Sequence, residues 1–521
     1  MLIALCAALF VTMLDTTVVS VALPDLQQHK PVTIADLQWV VNGYLVVFTA
    51  LMLTGGVLAD RWGRRRVLLT GLIIFAAGSL ITVLTDPTGG WDGLRIGRIV
   101  QGLGAALSEP ATLAVIRQEY DEEKARARAL GVWAAVSGLA LAFGPVVGGL
   151  LVELGGWRAV FIANVPLAVA CLVLAVLYVP ESHDPQKRRI DPAGLVLGAV
   201  AVGAVSWGLI DAQDKGFGSP AVIGSFIATG VAAIGYVLAE RRVKEPLVPR
   251  GLLADRGVRA GLISALSASF AVYAVFFFVT LDLQTVGHQS AAATAGAYLP
   301  MTLAMVGAAY ASGRWAARRG TTPPLVSGLL LGAAGLGIAQ LVLGLHPKAG
   351  EVGPALIVVG IGLGLTLAPA TAVVLRGVGA QRAGLGAAVV NEARQIGGLL
   401  AVAALGAVTI GRLDGALTAN LHKVGLSGFK DRVFNAVTHG GGGGGQPDPL
   451  LSSPVFKPLV DAAKLAAEDA FVSGLRLALF VATGVLILTA GIVAAASRPV
   501  SPRGTTARGT RRRPAGSAPG R

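Results

Sequence analysis

Charge is what this chain has least of. Lys, Arg, Asp and Glu make up 14% of its 521 residues, against roughly 25% in an ordinary soluble domain. Hydrophobic residues make up 54%, and the mean hydropathy is +0.69. This balance excludes a soluble globular protein and leaves an integral membrane protein. There are only two cysteines, Cys6 and Cys171, both inside apolar runs, which excludes a disulfide framework or a cysteine metal cluster. The six histidines, His29, His183, His288, His346, His422 and His439, are scattered without metal-ligand spacing. No metal, other cofactor or enzymatic centre is expected. The sequence has no GKS or GKT, so direct ATP coupling is excluded.

What is abundant is uninterrupted apolar sequence in segments of about twenty residues, too long and too continuous for alternating barrel strands. The 70 glycines suit helices that approach closely, because lipid provides no hydrophobic drive between them. The expected fold is therefore an all-α membrane bundle. Fourteen spans are expected near 3–24, 38–59, 67–86, 94–116, 129–153, 158–179, 193–211, 221–239, 259–281, 293–313, 325–345, 354–375, 385–410 and 474–496. The first lacks a basic leader and carries Asp15 at its centre, so it is expected to be a retained helix and not a signal peptide.

Arginines cluster after every even-numbered span, at Arg61, Arg64, Arg65 and Arg66, at Arg117, Arg126 and Arg128, and at Arg241, Arg242, Arg250 and Arg256, among others. The alternate short loops hold chiefly Lys30, Lys215 and Lys348. The positive-inside rule then places both termini in the cytoplasm of a multi-pass protein of the cell membrane. The net charge of +14 is topological on this reading, with no nucleic-acid partner expected. The tail 498–521 is read as a cytosolic basic segment, solvated or touching anionic lipid. The segment 411–473 is expected to be a long external loop. It holds a glycine-rich linker, "HGGGGGGQPDP", then an amphipathic helix leading into the last span.

"GVLADRWGRR" from Gly56 and "GRWAARRGTT" from Gly313 share spacing: Gly56 with Gly313, Arg61 with Arg318, Gly63 with Gly320, and Ala317 where the first copy has Asp60. Each joins the second and third helices of a possible six-helix half. The expected domains are residues 1–190, a six-helix bundle; 191–257, two inserted helices; and 258–497, a second six-helix bundle. Parallel repeats around a midplane site suit a transporter.

The intramembrane charges are the candidate chemistry. Asp15 lies in "TMLDTTVVSVALP", and Arg98 and Glu109 lie in the fourth span, eleven positions apart. That spacing returns them to within about 20° of one helix face, about 16 Å apart along the axis, so both could line one cavity and trade a cation against a proton. The alternatives are a structural hydrogen-bond anchor for Asp15 and a structural ion pair for Glu109. Asp282, in "FFFVTLDLQTVG", either contacts substrate or meets external water. Phe277 with its neighbours Phe276 and Phe278, Trp39, Tyr44, Gln101 and Gln284 are candidate cavity residues, with cation–π surface on offer; packing is the alternative for each aromatic. Near the basic turn, Asp60 can accept N–H bonds at a helix N-terminus, and Arg61, Arg64 and Arg65 can pair with a carboxylate such as Glu119. The turn is then either a latch or a topology signal. In the fifth span, Gly138, Gly144, Gly148 and Gly149 around Pro145 offer a kinked surface for close packing and sliding.

These motifs resemble the major facilitator superfamily, and in particular its fourteen-helix drug:proton antiporter branch. "GVLADRWGRRR" resembles its loop motif, "RIVQGLGAA" its helix 4 motif, "GLALAFGPVVGG" its antiporter motif, and "LDTTVVSVALP" its helix 1 motif, with Ser20 where asparagine is common. "GGWRAVFIANVP", with Trp157, Arg158, Asn164 and Pro166, is similar to the start of helix 6. The resemblance implies two six-helix bundles plus two inserted helices, and export of small amphipathic or cationic compounds in exchange for protons by a monomer, with Gly56, Asp60, Arg61, Gly63, Arg64 and Arg65 as a cytoplasmic gate. Uptake, export of a lipid or self-made antibiotic, and a sensor with a transporter fold are the rival readings.

Overall fold

A bilayer supplies no water to backbone N–H and C=O groups, so each apolar segment must satisfy its own, and helices result. The computed structural model describes residues 1–29, 34–84, 92–120, 122–182, 192–242, 252–344, 348–378, 383–423, 428, 430 and 457–496. The glycine-rich linker and the basic tail lie outside these residues. Thirteen long helices follow in order: α1 (Leu2–His29), α2 (Ile34–Trp62), α3 (Arg64–Leu84), α4 (Asp92–Glu119), α5 (Glu123–Tyr178), α6 (Pro192–Lys215), α7 (Pro220–Arg242), α8 (Arg256–Ala274), α9 (Ala291–Arg319), α10 (Thr322–Val342), α11 (Ala349–Val378), α12 (Ala383–Lys423) and α13 (Lys457–Ala496). Two π-helical turns, Val275–Val279 and Asp282–Val286, extend α8 into one apolar span, Arg256–Val286.

Twelve of these helices are long and apolar enough to cross a membrane, and α6 contains the shorter apolar segment Val196–Ala212. The 56-residue α5 folds back at Gly155 and Gly156 and is two spans in one, which brings the total to the expected fourteen. Gly156 has φ 67, a left-handed conformation that favours glycine. Asp25 of α1 accepts the Trp157 N–H at 2.7 Å and so caps the second limb of α5 from outside it.

Within the first half, α1 packs along α5, and α2 and α3 pack on α4; within the second, α9 and α10 pack on α11, and α8 and α13 on α12. The inserted α6 and α7 pair with each other, and α6 lies against α2 and α12. The internal repeat has a backbone counterpart. Gly63 between α2 and α3 has φ 110, and Gly320 between α9 and α10 has φ 82. The turns carrying Arg64–Arg66, Arg117, Arg241, Arg242, Arg256, Arg318 and Arg319 share one end of the bundle, here the basic end.

The segment 411–473 differs from a plain loop. α12 continues as helix to Lys423, and α13 begins at Lys457. Leu413, Leu417 and Leu421, at helical spacing, are buried, as are Ala466, Ala467 and Ala470. Asn420 Nδ2 donates to the Ala466 carbonyl at 3.3 Å and to Asp469 at 2.9 Å. A hydropathy window finds only bilayer-length apolar stretches, so it stops short of a helical pair whose apolar stripe is narrow.

Candidate functional site

Asp15 and Arg98 meet at 2.5 Å, both fully buried, joining α1 to α4. Arg98 Nη1 also donates to Gln101 Oε1 at 3.0 Å, and its Nε donates to the Val40 carbonyl at 2.7 Å. The other Asp15 oxygen accepts from Asn164 Nδ2 at 2.6 Å and from Gln101 Nε2 at 3.5 Å, while Gln101 also donates to Ser79. Two buried charges are tolerated here because each is paired and hydrogen-bonded further. The guanidinium lies 4.6 Å from the centre of the Tyr44 ring, whose hydroxyl donates to the Thr12 carbonyl. The ring face read as cation–π surface for a substrate is thus taken by the protein's own arginine. Five helical segments, α1, α2, α3, α4 and the second limb of α5, converge on this network.

Glu109 turns elsewhere. Its Oε1 accepts from Asn391 Nδ2 of α12, so the bond crosses from the first half to the second. Its Oε2 is buried without a hydrogen-bond partner among the described residues. The shared helix face brought Arg98 and Glu109 to the right sector of α4, but their contacts diverge: Arg98 binds within its own half and Glu109 across the seam. Asn391 also reaches Met52 of α2. Glu392 and Arg394 follow on α12 as charged neighbours of Glu109, and Arg394 Nη2 donates to Thr371 at 2.9 Å. Sequence reading missed these three, although "NEARQIGG" places an acid and an arginine inside an apolar span, the signal that singled out Asp15.

Away from the basic end, the halves are closed. A Cβ on Gly149 would lie 2.4 Å from Ala295 Cβ and 2.6 Å from the Ala291 carbonyl of α9, across the halves, while inside the first half one on Gly148 would lie 2.5 Å from the Val18 carbonyl of α1. Only glycine permits these approaches. Gly144 meets Thr17 in the same way, whereas nothing lies within 4 Å of Gly138, so Gly138 is not part of the contact surface. Thr302 donates to the Ala142 carbonyl at 2.8 Å, and Gln284 to the Val21 carbonyl at 3.3 Å, both between halves.

The remaining cavity candidates separate. Asp282 is fully buried, and neither carboxylate oxygen has a partner among the described residues. Phe277 packs against Phe278, and Phe276 against Tyr298. Trp39 packs against Ala35, Ile210 and Ala403, between α2, the inserted α6 and α12, which takes it away from the Asp15 network.

At the basic end, Arg64 donates to Asp60 at 2.8 and 3.1 Å and to Gln118 at 3.1 Å. The partner on α4 is therefore Gln118 and not Glu119, which is exposed, as is Arg61; the two α4 positions differ by about 100° around the axis. Asp60, taken up by Arg64, does not cap α3. Glu181, beyond α5, accepts the Arg65 N–H at 3.3 Å, and the Ser182 carbonyl accepts the Arg64 N–H. Gly63 leaves room for that carboxylate, which would lie 2.6 Å from a Cβ there. Gly56 faces Pro110 of α4.

Two helical halves, shut at one end and joined at a buried seam by a half-satisfied carboxylate, define a two-bundle membrane transporter. The chain belongs to the Major Facilitator Superfamily, whose family model matches residues 5–402. It is 32% identical to the tetracenomycin C resistance and export protein of Streptomyces glaucescens, covering 96% of this chain and 92% of that protein. It is 32% identical to the multidrug resistance protein Stp of Mycobacterium tuberculosis (93% and 89%), and 34% identical to the puromycin resistance protein pur8 of Streptomyces alboniger (79% and 81%). Among solved structures, a bacterial homologue of the human lysosomal transporter Spinster has the same fold, with TM-score 0.61, 17% identity, and coverage of 95% of this chain and 96% of that one.

Proposed function

We propose that this transporter is a proton-coupled antiporter that exports small amphipathic or cationic compounds by alternating access, with its basic end in the cytoplasm. The observation that carries the reading is Glu109, a buried carboxylate with one oxygen held across the seam by Asn391 and the other free. When the halves rock, Glu109 parts from both Asn391 and the neighbouring Arg394 of α12, and a buried carboxylate left unpaired is costly. A proton taken up at Glu109 removes that charge. A cationic substrate docked beside it does the same, so proton and substrate compete for one group. Asp15, already bonded by Arg98, Asn164 and Gln101, serves as the fixed support of the first half. Asp282 offers a second buried carboxylate in the other half, without a hydrogen-bond partner among the described residues and with Arg476 as its electrostatic neighbour. The arginine turn acts as the gate: its contacts among the described residues lie within the first half, and the exposed Arg61 is placed to engage the second.

The experiment is dye accumulation in inverted vesicles, with and without an imposed pH gradient. The parent protein accumulates a cationic dye only with the gradient, Glu109→Gln loses the dependence, and Asp15→Asn loses protein stability before coupling. Accumulation without a gradient in all three overturns antiport. The names of the relatives from the two Streptomyces species favour one second reading, export of a single antibiotic class; transport of tetracenomycin C or puromycin without any dye transport selects it.

A further inference from the structure

At the end opposite the basic turns, α10, α12 and α13 enclose a cavity of about 490 Å³ open to the surface, with Gln340, Arg412, Asp469, Ser473 and Arg476 above and Phe480 below. It takes no part in the seam. Arg476 directs Nε and Nη2 at the Leu343 carbonyl, and Arg412 Nε donates to Ser473 at 3.0 Å. These contacts fix both guanidiniums while engaging one edge of each. Asp469, held by Asn420, offsets one of the two positive charges, and the buried Asp282 is an electrostatic neighbour of Arg476, so the lining has room for at most a single negative charge.

Depth decides what that anion is attached to. Arg476 lies twenty residues before the end of α13 at Ala496, about 30 Å along the helix, which is the thickness of a hydrocarbon core. Gln340 lies eighteen residues after the start of α10 at Thr322, about 27 Å. Both helices therefore place the cavity at the headgroup boundary. Directly below it, Phe480 is 64% exposed, and Ile487 and Leu488 continue the exposed stripe down α13 at helical spacing. Two guanidiniums over an exposed apolar stripe match a phosphodiester attached to acyl chains, since guanidinium forks bind phosphate oxygens.

We propose that this cavity binds the headgroup of an anionic phospholipid such as phosphatidylglycerol from the adjacent leaflet, with an acyl chain lying along Phe480 and Leu488. The occupied site ties α10, α12 and α13 together at that end.

The test is thermal unfolding of the full-length detergent-purified protein with added phosphatidylglycerol, phosphatidylcholine or soluble glycerol phosphate, together with native mass spectrometry of lipid adducts. Phosphatidylglycerol raises the unfolding temperature of the parent by several degrees and persists as an adduct, and the other two do neither. Arg412→Gln/Arg476→Gln abolishes the rise and the adduct. Arg412→Gln alone, at an exposed position, weakens both while folding normally. An equal rise with glycerol phosphate makes the site a free-anion site and overturns the proposal, as does an unchanged lipid response in either variant. The transport assay above is independent of this result.

Discussion

Replacing Asp15 by Asn keeps the shape of the side chain and removes its charge. Asn164 still finds an acceptor, but Arg98 is left fully buried without a counter-charge. Breaking a buried pair in this way costs about 3–5 kcal/mol. The Val40 and Gln101 oxygens keep two hydrogen bonds to the guanidinium, each worth about 1.5–3 kcal/mol when the donor is charged, which places the expected loss at the lower end, about 3 kcal/mol. At 1.4 kcal/mol per factor of ten, that is roughly a hundredfold in the folded-to-unfolded ratio. Arg98→Gln should be similarly damaging, because it leaves Asp15 charged and the arginine's space unfilled. The double variant Asp15→Asn/Arg98→Gln removes both charges together and should recover about 2 kcal/mol or more relative to the sum of the single variants. Fluorescence-monitored unfolding of the purified protein measures all four corners of the cycle. Additive losses, or an Asp15→Asn protein as stable as the parent, would show that the pair is not the electrostatic unit described.

Gly148→Ala puts a methyl 2.5 Å from the Val18 carbonyl and should lower stability by about 1–3 kcal/mol, read as a fall in unfolding temperature, whereas Gly138→Ala, with open space, should change it little. Gly63→Ala combines a left-handed φ of 110 with a clash against Glu181 and should cost about 1–3 kcal/mol; additional Glu181→Ala should relieve the clash but not the backbone strain. Asn391→Leu removes the donor that Glu109 has among the described residues and should reduce gradient-driven transport about tenfold with normal membrane abundance; unchanged transport would remove Asn391 from the seam mechanism.

The spans were legible because hydrophobic length and the cost of unsatisfied backbone in lipid leave few alternatives. The turn glycines were legible for a similar local reason: Gly63 and Gly320 mark corresponding turns, and both carry positive φ. Asp15 and Arg98 announced themselves as charges in apolar runs, but their pairing did not, since it depends on how α1 lies against α4. Long-range partners have no local signature, and so Gln118 was passed over for Glu119, and Glu181 for Asp60. Trp39 shows the limit from the other side. A helix face is readable, but which neighbour covers it is set by the inserted α6. Asn391 lay in plain sight beside an acid and an arginine, and only the packing of α12 on α2 and α4 gives it a role.

α12 runs unbroken from the seam residue Asn391 to Lys423, about 48 Å of helix, longer than a hydrocarbon core of about 30 Å, and its last turns lie beside α13. A rod of that length acts as a pointer. A tilt of about 10° at the seam would swing its tip by about 8 Å at the rise of an α-helix. A conformational change hidden among buried side chains thus becomes a displacement large enough for a spin label or fluorophore on the last turns of α12 to follow in the intact membrane.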